Sequence, residues 1–241
     1  MAHALYVIHG SHPCACAEKA LQLKGQPYRV VEWPPALHVP GQWWRFRRLT
    51  VPGLVLGSGE QVVGSRAIVH RLDQLVPEPP LLPADPALRT RVEDAERWGD
   101  AVLQPAVRRF AWVGFLARPD AFTSYAEGSR LPLPRRLLPA IVPPLARVAA
   151  TRNKATRERA RADLAALPSQ LDQIDHWIAE GVLGGEQPNA ADLQIGSSLR
   201  LLATFADVRP LLAGRPCADL GHKLFPVYPG ELPAGALPVA A

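Results

Sequence analysis

Short apolar runs alternate with helical stripes over the first third of the chain, and helical stripes alone fill the rest. Leu5, Tyr6, Val7 and Ile8 form an unbroken apolar run, which predicts a buried strand. Cys14 to Lys24 has helical spacing and stops at Gly25, and Tyr28 to Val31 predicts a second strand, so the chain opens as a βαβ unit. Gly53-Leu54-Val55-Leu56 and Gln61-Val62-Val63 flank GSGE, a hairpin signal. Ser65 then caps a helix carrying Ile68, Val69, Leu72 and Leu75. The intervening VEWPPALHVPGQWWRFRRL fits no single period. The resulting order is βαβ-ββα.

Residues 76–86, VPEPPLLPADP, hold five prolines and can neither pair in a sheet nor continue a helix, which predicts a stiff linker. The expected division is 1–77 for the mixed domain, 78–86 for the linker and 87–241 for an all-helical domain. In the latter, Leu88, Val92, Ala95, Val102, Ala106, Phe110 and Val113 follow one stripe of a long helix that Pro105 should kink. Leu164, Leu167, Leu171, Ile174 and Ile178 mark a second helix ending near Gly181, and a third starts at Asn189. Residues 119–153 include LPLPRRLLPAIVPPLAR, whose five prolines argue for short helices or a lid rather than one continuous helix. Arg152 to Arg161 reads as a solvated basic helix face, and the terminal PAGALPVAA as loose chain.

Composition narrows the function. With 48% apolar and 20% charged residues, 241 residues can bury an ordinary core. No apolar run is long enough to span a bilayer, and MAHALYVIHG lacks the order of a signal peptide, so a cytoplasmic protein without a membrane partner is expected. A net charge of +5 spread over scattered arginines gives no reason to expect nucleic-acid binding. Three cysteines cannot build a disulfide framework and should stay reduced.

Candidate chemistry concentrates in GSHPCACAEKAL, residues 10–21. On a helix, Cys14 and Cys16 point roughly 200° apart, so they share neither a metal nor a disulfide. With His9 and His12 they fall short of the three or four convergent ligands of a zinc site. Ser11 follows the first strand and stands at the mouth of the first helix, where unpaired N–H groups and the helix dipole favour an anion. A thiolate placed there would gain about 0.3–1 kcal/mol from the helix end. A donated hydroxyl bond would add about 1.5–3 kcal/mol, which together lower a thiol pKa by on the order of one to three units. Ser11 serves equally well as an ordinary helix cap. Pro52 opens a strand, where a cis bond turns the preceding backbone toward a ligand. Ser65 opens a helix whose free N–H groups suit a carboxylate.

This order of elements resembles the cytosolic glutathione transferases, in which a thioredoxin-like α/β domain precedes an all-α domain, and the resemblance spans essentially the whole chain. LYVIHGSHPCAC is similar to the theta-type Ser-x-Pro-Cys segment, in which the serine activates the glutathione sulfur. The resemblance implies that role for Ser11, with Pro13 beside it. TVPGL resembles the family's cis-proline segment, implying glutathione contacts for Val51 and Pro52. GSRAI resembles the segment holding the γ-glutamyl group, implying such contacts for Ser65 and Arg66, although Gly64 replaces an acidic residue. His38 falls about where related members place a histidine near the glycine carboxylate. PNAADLQIG resembles the family's capped helix start. The implied protein is a homodimeric transferase that joins glutathione, or another small thiol, to an electrophilic small molecule. Two alternatives stay open: a reductase or lyase working through Cys14 or Cys16, and a non-catalytic ligand-binding member. Trp43, Trp44, Trp98, Trp112 and Phe115 are candidates for the cleft wall, and Arg135 and Arg136 for contact with an acidic substrate.

Overall fold

The computed structural model describes residues 2–34, 38–130 and 138–238, with the side chains of 138 and 139 outside that description. Arg135 and Arg136 lie outside the described residues.

Strand β1 (His3–Val7) sits inside a four-stranded sheet of order β2-β1-β3-β4. It runs parallel to β2 (Tyr28–Glu32), with Leu5 opposite Val30, and antiparallel to β3 (Gly53–Val55), with Leu5 opposite Leu54. β4 (Gln61–Val63) completes the hairpin with β3. The parallel pair needs a crossover, and α1 (His12–Leu23) supplies it. Leu5, Leu21, Leu54, Ile68 and Leu72 are fully buried where α1 and α3 (Ser65–Leu75) pack together against the sheet.

Within the stretch without a period, His38–Phe46 form α2. Gly41 makes it possible: a Cβ there would meet the Trp33 ring at 2.6 Å. Phe46 packs edge-on to Tyr6 at 5.2 Å between ring centroids.

The proline-rich run 76–86 is held firmly. Buried Lys24 donates to Asp73 Oδ1 and to the Pro79 carbonyl, each at 2.6 Å, while the Leu81 N–H donates to Asp73 Oδ1 at 2.7 Å. The Leu81 carbonyl accepts from the Ala190 N–H at 2.8 Å. A linker that buries Leu81 and Leu82 works as a clamp between the elements on either side.

Helix α4 (Pro86–Trp98) passes through a π-helical turn, Gly99–Leu103, into α5 (Gln104–Ala117). The wider turn comes immediately before Pro105, which has no N–H to continue an ordinary ladder. It also rotates the stripe: Val92, Ala95, Ala106, Phe110 and Val113 are buried, but Val102 is exposed. A 3₁₀ turn, Pro119–Ala121, leads into the short α6 (Phe122–Tyr125).

Residues 119–153 hold separate helices rather than one continuous helix, as expected, with 131–137 outside the described residues; α7 (Leu138–Arg152) itself continues through Pro143 and Pro144. Its packing offsets the lost hydrogen bonds, since Val142, Ala146 and Ala150 are buried and α7 packs along α5. Arg152 ends α7, Lys154 turns the chain and Thr156 caps α8 (Arg157–Ala179), so the basic run spans two helices rather than one face.

Helix α9 (Ala190–Leu202) is the buried axis of the molecule, packing on α1, α4 and α11 (Pro216–Leu224), which follows the short α10 (Arg209–Leu212). Its start is a capping box: Asn189 Oδ1 accepts from the Asp192 N–H at 3.1 Å and Asp192 Oδ2 accepts from the Asn189 N–H at 2.8 Å. The C-terminal segment is docked, not loose, as far as residue 238. Asp207 accepts from the Gly235 and Leu237 N–H groups at 2.8 and 2.9 Å, and Leu232, Ala236 and Leu237 are buried. No helix among the described residues is long and apolar enough to cross a membrane.

Candidate active site

Gly10, at φ 71°, turns the chain after β1, and Ser11 occupies the N-cap of α1 with extended backbone angles. The Ser11 N–H donates to the Ile8 carbonyl at 3.2 Å and its carbonyl accepts from the Ala15 N–H at 3.0 Å, but its hydroxyl makes no capping bond. The reason lies in the next residues: Pro13 sits at the second helical position and removes one of the two N–H groups a cap would bind. Of the two roles the sequence left open for this hydroxyl, the capping one is not taken.

Instead Ser11 lines a cavity of about 490 Å³ that also meets Pro13, His38 and Val51. Its far wall is aromatic and comes from the helical part of the chain. Trp112 and Phe115 of α5, two of the candidates for the cleft wall, line it, and so do Phe122 and Tyr125. The Phe115 ring stands edge-on to Phe122 at 5.2 Å and to Tyr125 at 5.0 Å, so the wall is a packed cluster. The other tryptophans lie elsewhere. Trp43 and Trp44 are 52% and 76% exposed, and Trp98 packs against Trp177.

The remaining sequence candidates flank the cavity without lining it. The Val51–Pro52 bond is cis, and the Pro52 carbonyl accepts from the Gly64 N–H at 2.9 Å, which places the start of α3 beside it. Gly64 has φ 99°, a conformation that disfavours the acidic side chain absent at this position. Ser65 is buried, and its hydroxyl donates to Gln194 Oε1 of α9 at 3.0 Å. What Ser65 still offers a ligand is its backbone N–H at the helix start. Arg66 Nε donates to Glu96 Oε2 at 2.9 Å, and the same oxygen meets His70 Nε2 at 2.7 Å. Glu96 Oε1 is buried without a partner.

Burial sets the titration of the central groups. It pushes the Cys14 thiol up to about 11, against the pull of the Ser11 hydroxyl and the Ile8 backbone, and drives Cys16 well above the ordinary thiol value. Both thiols are neutral and enclosed. His38 Nδ1 is buried without a partner, and burial, with a lesser push from Arg152, takes this imidazole down to about 4. His12, also in the cavity wall, is held well below its usual value by burial and by Arg108. Neither imidazole is a cation at neutral pH. The cations of the lining are Arg108 and Arg152, neither of which the sequence had marked for this site. The signal was present in the helical spacing: Arg108 shares a stripe with Ala111, Trp112 and Phe115, and Arg152 with Leu145, Val148 and Ala149. The Tyr228 hydroxyl donates to the Gly10 carbonyl at 2.8 Å, so the C-terminal segment braces the loop carrying Ser11.

A four-stranded mixed sheet with its flanking helices, joined to a bundle whose long helix α5 walls a cleft, defines a thioredoxin-like α/β fold followed by a helical region. The family profile described as "Glutathione S-transferase, N-terminal domain" matches residues 5–80, the α/β part of the chain. Solved structures share the fold of the whole chain. The beta-etherase LigF from Sphingobium sp. strain SYK-6 is 19% identical with a TM-score of 0.61, over 94% of this chain and 99% of that one. A glutathione S-transferase from Rhodospirillum rubrum is 19% identical with a TM-score of 0.60, over 97% of each chain. A theta class enzyme from the citrus canker pathogen Xanthomonas axonopodis pv. citri, solved with glutathione bound, is 18% identical with a TM-score of 0.58, over 83% of this chain and 81% of that one. A comparison with curated proteins finds no match.

Proposed function

We propose that this protein is a glutathione transferase-like enzyme that uses glutathione, or another small acidic thiol, against an electrophilic carbon in the aromatic cavity. The observation that carries the reading is the Ser11 hydroxyl, uncapped at a helix start and open to a cavity with an aromatic far wall. A bound thiol supplies the nucleophile: a carbon–sulfur bond forms, the leaving group departs with its bonding pair, and the thiol proton passes to solvent. Ser11 donates its hydroxyl to the sulfur anion, and the α1 dipole adds to the same stabilisation. The N–H groups at the start of α3, beside Pro52, hold one carboxylate of the thiol. Arg152 and the neutral His38 hold another at the mouth. With Gly64 at the usual acidic position, an amino group on the thiol lacks one carboxylate partner, which lowers the preference for glutathione over other thiols. Displacement of an aryl ether and conjugation of an aryl halide share this chemical step, and the aromatic wall suits both. The working form is taken as a cytoplasmic homodimer.

The buried, protonated state of Cys14 and Cys16 argues against the reductase reading. The test is conjugation of an aryl halide by the wild type, Ser11→Ala and Cys14→Ala. Ser11→Ala is expected to lose about 10- to 100-fold in kcat/KM, the worth of one charge-assisted hydrogen bond, and Cys14→Ala to stay within a few-fold. Full activity in Ser11→Ala sinks the proposal. Loss of activity only in the cysteine variant favours the reductase. Binding of glutathione without turnover of any electrophile favours the carrier.

A further inference from the structure

Arg108 is a cation of the cavity lining that the thiol reading leaves unused. Its guanidinium forms no hydrogen bond or ion pair with any of the described residues. The neighbouring Arg109 shows the contrast, donating through Nε and Nη2 to both oxygens of Asp163 at 2.5 and 2.8 Å. No aspartate or glutamate lines the cavity among the described residues. Asp100 is the acid whose charge reaches Arg108, but it makes no hydrogen bond to it, so a half-buried guanidinium facing an aromatic wall keeps its donors open to a ligand. Arg108 also lies at the reacting end: its charge acts on both Cys14 and His12, the residues on either side of Pro13. Trp112 and Phe115 continue the same stripe away from it.

We propose that the cavity selects aromatic electrophiles that carry an anionic group of the carboxylate or sulfonate class, with the Arg108 guanidinium receiving the anion while Trp112 and Phe115 hold the ring. The assignment rests on the reading of this cavity as the electrophile's site. Arg108 determines specificity here: it binds the substrate's charge, and Ser11 remains the group that meets the sulfur. The planar guanidinium fork matches a carboxylate through two parallel N–H bonds, a geometry an ammonium does not reproduce.

The experiment compares a dinitrobenzoate with the corresponding dinitrobenzamide, two probes of nearly equal shape that differ in charge. Binding is read by quenching of tryptophan fluorescence without any thiol present. The wild type is expected to bind the benzoate roughly 10- to 100-fold more tightly than the amide. Arg108→Met should bring the two within about twofold, and Arg108→Lys should recover part of the preference. Equal affinity for the two probes, or a preference that survives Arg108→Met, overturns the proposal. If Arg108→Met does not fold, the wild type decides the matter against a third probe, the dinitrobenzyl ammonium ion. Any order other than benzoate, then amide, then ammonium is fatal to it.

A second arm uses the chlorodinitrobenzoate and its amide as reactants with glutathione: the sulfur bonds to the ring carbon, and chloride leaves with the bonding pair. Selective binding without turnover removes the transferase reading and leaves this assignment standing. Turnover of both reactants with the same kcat/KM, unchanged in its ratio by Arg108→Met, removes this assignment alone.

Discussion

Ser11 and Cys14 lie three residues apart on the same turn, and opposite environments separate their chemistry. The serine hydroxyl opens on the cavity, whereas the Cys14 thiol is enclosed and pushed up to about 11 by that enclosure. Cys217, likewise buried, is driven up to about 12, first by burial and then by Asp175. All three cysteines should therefore resist iodoacetamide at neutral pH in the folded protein and react only after denaturation, as mass spectrometry of the labelled chain would show. Rapid labelling of native Cys14 would contradict the burial described. The histidines make a second prediction. His12 and His38 take up protons near 6.5 in the unfolded chain but resist them when folded, so stability falls as pH drops from about 6.5 toward about 4. Asp192 acts in the opposite sense. Burial raises it to about 6, so below that pH the folded state takes a proton that the unfolded state refuses until near 3.8. Urea midpoints at pH 7 and 5 should accordingly drop less for His38→Gln than for the wild type, and more for Asp192→Asn.

Among the elements, α9 has the strongest local specification, because its cap, its apolar run and its burial all agree. Asn189→Ala removes the bonds from the Ala191 and Asp192 N–H groups and the bond to the Val182 carbonyl. It should cost about 1–2 kcal/mol in a denaturant titration. The α4–α5 stripe was equally visible in the sequence, but its register was not. Periodicity assumes 3.6 residues per turn, and the π turn before Pro105 breaks that assumption, which is why Val102 was placed on the wrong face. Helix α7 carries Pro143 and Pro144 because proline penalties are local, whereas the contacts with α5 that offset them are not.

For the molecule as a whole, the two halves of the chain are joined by polar contacts as well as by packing. Gln194 Oε1 takes the Ser65 hydroxyl and the Cys16 thiol, and its Nε2 donates to Gln104 Oε1 at 3.0 Å. Lys24 clamps the proline-rich connection from below. Lys24→Met should destabilise the protein by about 3–5 kcal/mol, because it strips a partly buried carboxylate of its cation and frees two backbone carbonyls. Thermal unfolding would register this as a large drop in midpoint, and a loss below about 1 kcal/mol would mean that the connection holds without the clamp.

What the sequence determined alone is what depends on neighbours along the chain: the strand and helix periods, the serine at the mouth of α1, the proline before β3 and the capping box of α9. Each is a short-range rule of sterics or hydrogen bonding, and a handful of residues suffices to state it. Only the tertiary structure decided which of these groups face a ligand. It turned Ser11 into the cavity, gave the Ser65 hydroxyl to Gln194, enclosed both N-terminal thiols, and carried Arg108 and Arg152 from distant helices to one wall. Burial and long-range packing settle those outcomes, and no local pattern records which side of a helix will meet a surface contributed by residues a hundred positions away.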